Sequence, residues 1–300
     1  MPIALPHLGA VHNSNGSRSL KLMANSCNEE PLVLEAGRAE RHYWRDLWRY
    51  RELLYFLARR DIAVRYKQTV FGVAWAIVRP LATMLIFTLI FGRIAKLPSH
   101  GAPYSLLVLS GMLPWFFFAA ALGEASNSLV ASANLISKIY FPRLLVPIAT
   151  VAVALVDLAI GIGLLIVMMA FMGLAPNARL LAVPFFVLLA TGTALGLGLW
   201  FAALNVKYRD FRFVVPFLLM IGLYISPIGF SSSVIPERWR LLYCLNPMVG
   251  VIEGFRWSVL GEAFPLRPDA LLLSTAFCLL LLITGVSFFR RTERSFTDII

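Results

Sequence analysis

The chain is short of acid, of cysteine and of histidine, and each shortage excludes something. Its 300 residues hold 16 Asp and Glu against 27 Lys and Arg, and charged residues reach only 14% where a soluble domain carries about 25%. Apolar residues make up 59% and the mean hydropathy is +0.76, which excludes an ordinary soluble enzyme and points to a membrane protein. The formal net charge of +11 would suit nucleic acid, but the cations cluster between and beside apolar runs. Anionic lipid and a positive-inside topology account for them, and no nucleic-acid partner is expected. The three cysteines, Cys27, Cys244 and Cys278, lack metal-ligand spacing, so neither a disulfide framework nor a zinc site is expected. His7, His12, His42 and His100 stand apart, which leaves no metal cluster and no Ser-His-Asp constellation. There is no G-x-x-x-x-G-K-[ST] segment to cradle phosphates. No cofactor is expected in this chain, and it is expected not to be an enzyme.

What is present is a succession of apolar runs. Residues 1–40 mix Ser, Asn, His and Gly without a clear period and read as a flexible cytosolic tail, not a signal peptide. Over 41–67, Leu47, Tyr50, Leu54 and Leu57 recur at three- and four-residue spacing among Arg41, Arg45, Arg49 and Arg51. That pattern predicts an amphipathic helix at the headgroup layer, with packing on cytosolic loops of the same chain as the alternative. A helix needs about 20 residues to span about 30 Å of hydrocarbon, and six runs qualify within 68–300. They are about 70–91, 104–122, 144–174, 180–206, 213–230 and 270–289. The expected fold is an all-α polytopic membrane protein. The loop cations place both termini on the cytosolic side. Arg79 lies inside the first run and must snorkel or face protein. Asp157, the only acid well inside a run, reads either as a proton or cation relay or as a polar group bonded to neighbouring helices.

Two interruptions stand out. Ser132 to Pro147, SANLISKIYFPRLLVP, carries Lys138 and Arg143, and no acid occurs between Glu124 and Asp157. Asn134 is placed to cap a short helix, and Pro142 disfavours helical geometry at Phe141. The stretch is either an interfacial loop with an aromatic anchor or a short helix presented to a partner. Between the fifth and sixth runs, Asn246 and Pro247 form a helix start, and Met248 to Leu260 stay apolar except for Glu253 and Arg256 before Gly261 stops the helix. The segment is too short to cross, so it reads as a re-entrant helix or one lying on the outer leaflet, with a shorter helix within Pro236–Leu245 before it.

Several stretches together resemble the permease subunit of ABC-2 type exporters. They are RRDIAVRYKQTVFGVAWAIVRPLATMLIFTLIFGRIA, SGMLPWFFFAAAL, SANLISKIYFPRLLVP, NVKYRDFRFVVPF, YISPIGF and LNPMVGVIEGFRWSVLG. The similarity covers about Arg59 to Arg291 and is greatest to the branch exporting polysaccharide and polyol-phosphate polymers, which includes O-antigen, capsule and teichoic-acid permeases. Arg79 stands where many of these relatives carry an uncharged polar residue. The resemblance implies six helices, an interfacial N-terminal helix, and a homodimer with a central conduit. It implies two copies of a cytosolic ATPase subunit that binds ATP and Mg, and a polymer built on an undecaprenyl-type lipid carrier as substrate in the bacterial inner membrane. It implies a coupling helix in SANLISKIYFPR, with Asn134, Lys138, Tyr140, Phe141 and Arg143 as its contacts, and a cytosolic loop at Arg209, Asp210 and Arg212. Conduit or gate positions fall at Trp115, Phe117, Tyr224, Pro247, Glu253 and Trp257. The rival readings fit less well. A solitary ion-coupled transporter should show repeated broken helices, and 70–174 has no repeat in 180–290. A lipid-linked glycosyltransferase would need a carboxylate or His cluster at one interface.

Overall fold

The computed structural model describes residues 43–67, 72–293 and 296. The chain divides into two compact units, Met1–Trp44 and Arg45–Ile300. Of the first only Tyr43 and Trp44 are described, so the tail expected over 1–40 lies outside the described residues. The rest of the account concerns the second unit.

Among the described residues every regular element is helical. Five helices are long and apolar enough to cross a membrane, spanning Ala74–Ile94, Tyr104–Ala131, Leu145–Phe171, Ala178–Lys207 and Pro268–Glu293, and Phe211–Ile225 is a shorter apolar helix. The amphipathic segment is broken at Tyr50 into α1 (Tyr43–Arg49) and α2 (Arg51–Lys67). Helix α3 (Gly72–Phe87) runs on into a π-helical turn at Thr88–Ile94. Pro80 within α3 has no N–H to donate, and the Thr83 hydroxyl bonds the Arg79 carbonyl at 2.9 Å. Arg79 is exposed, with its guanidinium 4.9 Å from the centre of the Phe116 ring.

Helix α4 (Tyr104–Ala131) is the pillar of the bundle, and eighteen of its 28 residues are buried. It runs nine residues beyond the expected end at 122, through turns in which Ser126, Asn127 and Ser128 donate to carbonyls of their own helix. Asn205 donates to the Asn127 side chain at 2.9 Å and to the Ser126 carbonyl at 3.2 Å. After the single turn α5 (Ala133–Ile136) come α6 (Leu145–Phe171), α7 (Val183–Lys207), α8 (Phe211–Ile225), the short α9 (Glu237–Tyr243) and α10 (Pro247–Leu260), and finally α11 (Pro268–Glu293). Helices α7 and α11 cross with their backbones in contact. A Cβ on Gly285 would lie 2.3 Å from the Gly196 carbonyl oxygen, and one on Gly196 would lie 2.6 Å from the Leu281 carbonyl carbon. Small residues allow this approach, which gathers dispersion contacts that lipid cannot replace.

The fifth run differs from its expectation. Its helix ends at Ile225, about 22 Å long at about 1.5 Å per residue, and Ser226–Phe230 continue without helix. Ser226-Pro227 explains the stop, since the residue before a proline is driven out of helical geometry; Ser226 has ψ 150°.

Candidate functional site

The described contacts sort the connections into two ends of the bundle. One end gathers the α5 region, the α7–α8 loop and the end of α11. The other gathers residues 97–104, 172–182 and 226–267.

At the first end the Ser132–Pro147 stretch divides into an anchor and a tip. Ile136, Phe141 and Pro142 are buried, with Phe141 only 4% exposed, whereas Asn134, Ser137, Lys138, Ile139 and Tyr140 are exposed. Asn134 is therefore not the cap expected of it. Ser132 occupies the N-cap position without a side-chain bond, and Asn134 lies within the turn. Tyr140 and Phe141 also part company, because the turn before Pro142 directs one ring out and the other in. Arg143 faces the chain's own C-terminal helix. Its backbone N–H donates to the Glu293 carboxylate at 2.9 Å, its Nη1 donates to the Glu293 carbonyl at 2.5 Å, and its guanidinium lies 5.8 Å from the Phe296 ring centre. Partial burial and the Glu293 carboxylate push the Tyr140 phenol above its usual range, so it remains a hydroxyl donor at neutral pH. Arg209 and Asp210 are exposed at the same end, Arg212 is exposed on the first turn of α8, and Asp210 takes the N-cap position of α8 without a side-chain bond.

Asp157 has partners that the sequence did not disclose. Arg65 of α2 reaches its carboxylate at 2.8 Å, the Tyr66 hydroxyl donates to its other oxygen, and Glu124 of α4 lies 4.0 Å from Arg65. Burial, then the bond to Asp157, push the Tyr66 phenol up to about 12. These groups form one polar level. From it, α4 runs on about 11 Å to Ala131, and α6 runs about 18 Å back to Leu145. The α2 helix packs against α6 through this pair and through buried Leu57, while Tyr55 and Phe56 are exposed.

At the second end the start and stop expected for α10 are present. Asn246 accepts from the Met248 N–H at 3.0 Å, Pro247 is the first helical residue, and Gly261 ends the helix at φ 68°. Eleven residues of α10 are buried, and it packs among α4, α7 and α11. A helix merely lying on a leaflet is excluded by that burial. Its organising residue is Arg256, 1% exposed, which sequence reasoning noted as a charge but assigned no role. Arg256 donates to the Leu107 carbonyl at 3.2 Å, to Phe230 at 2.8 Å and to Ile228 at 2.6 Å. Tyr104 donates to the intervening Gly229 carbonyl at 2.5 Å. Together they satisfy the non-helical segment that completes α8, without which unpaired backbone could not persist in an apolar interior. Gly111 of α4 leaves the room, since a Cβ there would lie 2.6 Å from Arg256 Nη2. An arginine one turn after Glu253 in a largely apolar short helix, together with the Ser-Pro-Ile-Gly segment at 226–229, was the signal available.

The sequence of the bundle matches the ABC-2 type transporter family model over residues 52–260. The chain belongs to the ABC-2 type transporter family. An O-antigen export system permease protein (RfbA) of Klebsiella pneumoniae is 27% identical over 250 residues, covering 83% of this chain and 95% of that protein. One from Myxococcus xanthus is 26% identical over 256 residues, covering 85% and 97%. A polysialic acid transport protein (KpsM) of Escherichia coli is 27% identical over 246 residues, covering 79% and 92%.

Within this ABC-2 transporter the aromatic positions separate. Trp115 and Phe117 are packed in the interior of the subunit, 4% and 3% exposed, with the Trp115 ring against Gly222 of α8. Neither reaches a surface of the single chain. Tyr224 is 71% exposed and forms one stripe of α8 with Phe213, Phe217 and Met220. Trp257 lies under the Arg179 guanidinium at 5.8 Å, and Arg179 pairs with Glu262 at 3.1 Å. Glu253 accepts a hydrogen bond from the Ser232 hydroxyl. Among the described residues no group of His, Cys, Asp and Glu could hold a metal ion.

Proposed function

We propose that this chain is the membrane permease subunit of an ATP-driven exporter that moves a lipid-linked polysaccharide of O-antigen type across the bacterial inner membrane. The observation that carries the reading is the exposed Asn134–Tyr140 tip. It stands beyond the polar level of Glu124 and Asp157 on two projecting helices, and Arg143 ties its base to the end of α11. A chain with no phosphate-cradling motif needs an external source of work, and such a tip is a rigid lever for one. A dimeric cytosolic ATPase, which supplies the ATP and Mg site, seats Lys138, Ile139 and Tyr140 there. Arg209, Asp210 and Arg212 lie beside it, and both termini are cytosolic. Two copies of the chain enclose the conduit, with the exposed α8 stripe of Phe213, Phe217 and Tyr224 towards it, because aromatic faces pack on the C–H faces of pyranose rings. Pro247, Glu253 and Trp257 belong to the opposite, exit end. The names of the relatives support a polysaccharide cargo; a capsular polymer is the second reading, favoured by the similarity to the polysialic acid transport protein.

Deleting the gene and assaying surface polysaccharide tests the cargo, and loss of one polymer is expected. Tyr140→Ala should leave the chain in the membrane while abolishing export and weakening co-purification of the ATPase. Normal export by that variant, with the ATPase still bound, would remove the coupling role.

A further inference from the structure

The exit end contains a cavity of about 320 Å³, inside the size range of small-ligand sites, that no step of the export reading uses. Its wall is polar in an ordered way. Ser231, Ser232 and Ser233 line it at the head of the segment leading to α9, with the Ser233 hydroxyl donating to that of Ser231 at 3.0 Å. Glu253 of α10 spends one carboxylate oxygen on Ser232, which leaves the second for a ligand hydroxyl. His100 bonds Ser233 at 3.1 Å, and its ring meets Phe264 edge-on at 5.4 Å between centroids. Arg240 lines the cavity, and its two long contacts, at 3.4 Å, come from the terminal nitrogens.

Charge decides what kind of ligand this wall fits. Three guanidinium groups and one carboxylate, Glu253, line the cavity, and Arg256 and Arg267 are already committed elsewhere. Asp269 pairs with Arg267, Glu237 lies 3.4 Å from Arg240, and Arg256 is engaged by backbone carbonyls with Glu253 one turn before it. A free anion would have to displace Asp269 from Arg267 or meet Arg240 beside the Glu253 carboxylate, and both disfavour it. Donors and acceptors set side by side next to a ring instead suit a neutral ligand rich in hydroxyls.

We infer that this cavity is a saccharide-binding subsite at the exit end, which takes one or two neutral sugar residues. Glu253, Arg240 and the Ser231–Ser233 hydroxyls bond the ring hydroxyls, and Phe264 offers an apolar wall. The inference rests on the reading of the chain as a polysaccharide exporter and adds a recognition step after the conduit.

The test is saturation-transfer NMR on the permease–ATPase complex in lipid nanodiscs, with methyl α-D-mannopyranoside and methyl α-D-galactopyranoside as probes. Transfer to at least one glycoside is expected. Glu253→Gln should weaken it about tenfold, the loss of one charged hydrogen bond. Ser233→Trp starts from an exposed position, so the fold tolerates it, and should abolish transfer by filling the cavity. No transfer to either glycoside, transfer unchanged in the filled variant, or displacement of the glycoside by inorganic phosphate would each overturn the subsite. Co-purification of the ATPase and surface polysaccharide in the deletion strain test the export reading separately, so the two can fail independently.

Discussion

Arg256 holds the Leu107, Ile228 and Phe230 carbonyls, the last two in the non-helical segment after α8. Its planar fork is what allows one side chain to do this. Arg256→Lys, a compact cation, should therefore fail nearly as badly as Arg256→Met, each destabilising the bundle by about 3 kcal/mol or more. Thermal unfolding in detergent checks this, and a lysine variant as stable as the parent would contradict the role. The two aromatics before Pro142 make a second test. Phe141→Ala empties a core site and should cost about 3–5 kcal/mol, whereas Tyr140→Ala should change stability by less than about 0.5 kcal/mol. From the sequence these rings form one pair; only the direction the chain takes into Pro142 tells them apart.

Helix α2 is joined to α6 by Arg65, Tyr66 and Asp157, and the Arg65 side chain is 38% exposed. Solvent screens a pair of that exposure, so Asp157→Asn should lower stability by less than about 1 kcal/mol and leave export intact. Export lost at unchanged stability would revive a relay role for Asp157. Tyr66 adds a pH dependence. Its phenol is raised to about 12, above its ordinary value of about 10. Its contribution is therefore complete below about pH 10 and fades as pH rises towards 12, a loss that Tyr66→Phe should not show in an alkaline unfolding series. The α7–α11 seam is tighter. Gly196→Val or Gly285→Val drives a side chain into backbone and should cost about 1–3 kcal/mol at least, read as reduced yield of folded protein. Gly196 and Gly285 stand in the sequence, but that they face each other is visible only in the packed helices.

For the whole molecule, the two ends make opposite predictions about access. With Cys27, Cys244 and Cys278 replaced, a single cysteine at Ser233 or Glu262 should react with an impermeant maleimide in intact cells. One at Lys138 or Arg209 should react only after lysis. Labelling with the reverse pattern would invert the topology. The bundle itself was largely legible from its runs of apolar residues. The run lengths were less so, because α4 continues through a polar stretch where Asn205 bonds Ser126 and Asn127, and α8 ends where Pro227 intervenes.

The sequence by itself determined that the protein is helical and membrane-embedded, which interruptions matter, and where α10 begins and ends. Those follow from transfer free energy, periodicity and the local chemistry of Asn, Pro and Gly, all encoded within about twenty residues. Only the tertiary structure decided that Asp157 has a basic partner, that Arg143 clasps Glu293, and that Arg256 completes α8. Each of these joins groups 91 or more residues apart in the chain, or a side chain to carbonyls whose orphan state exists only after the helices have packed.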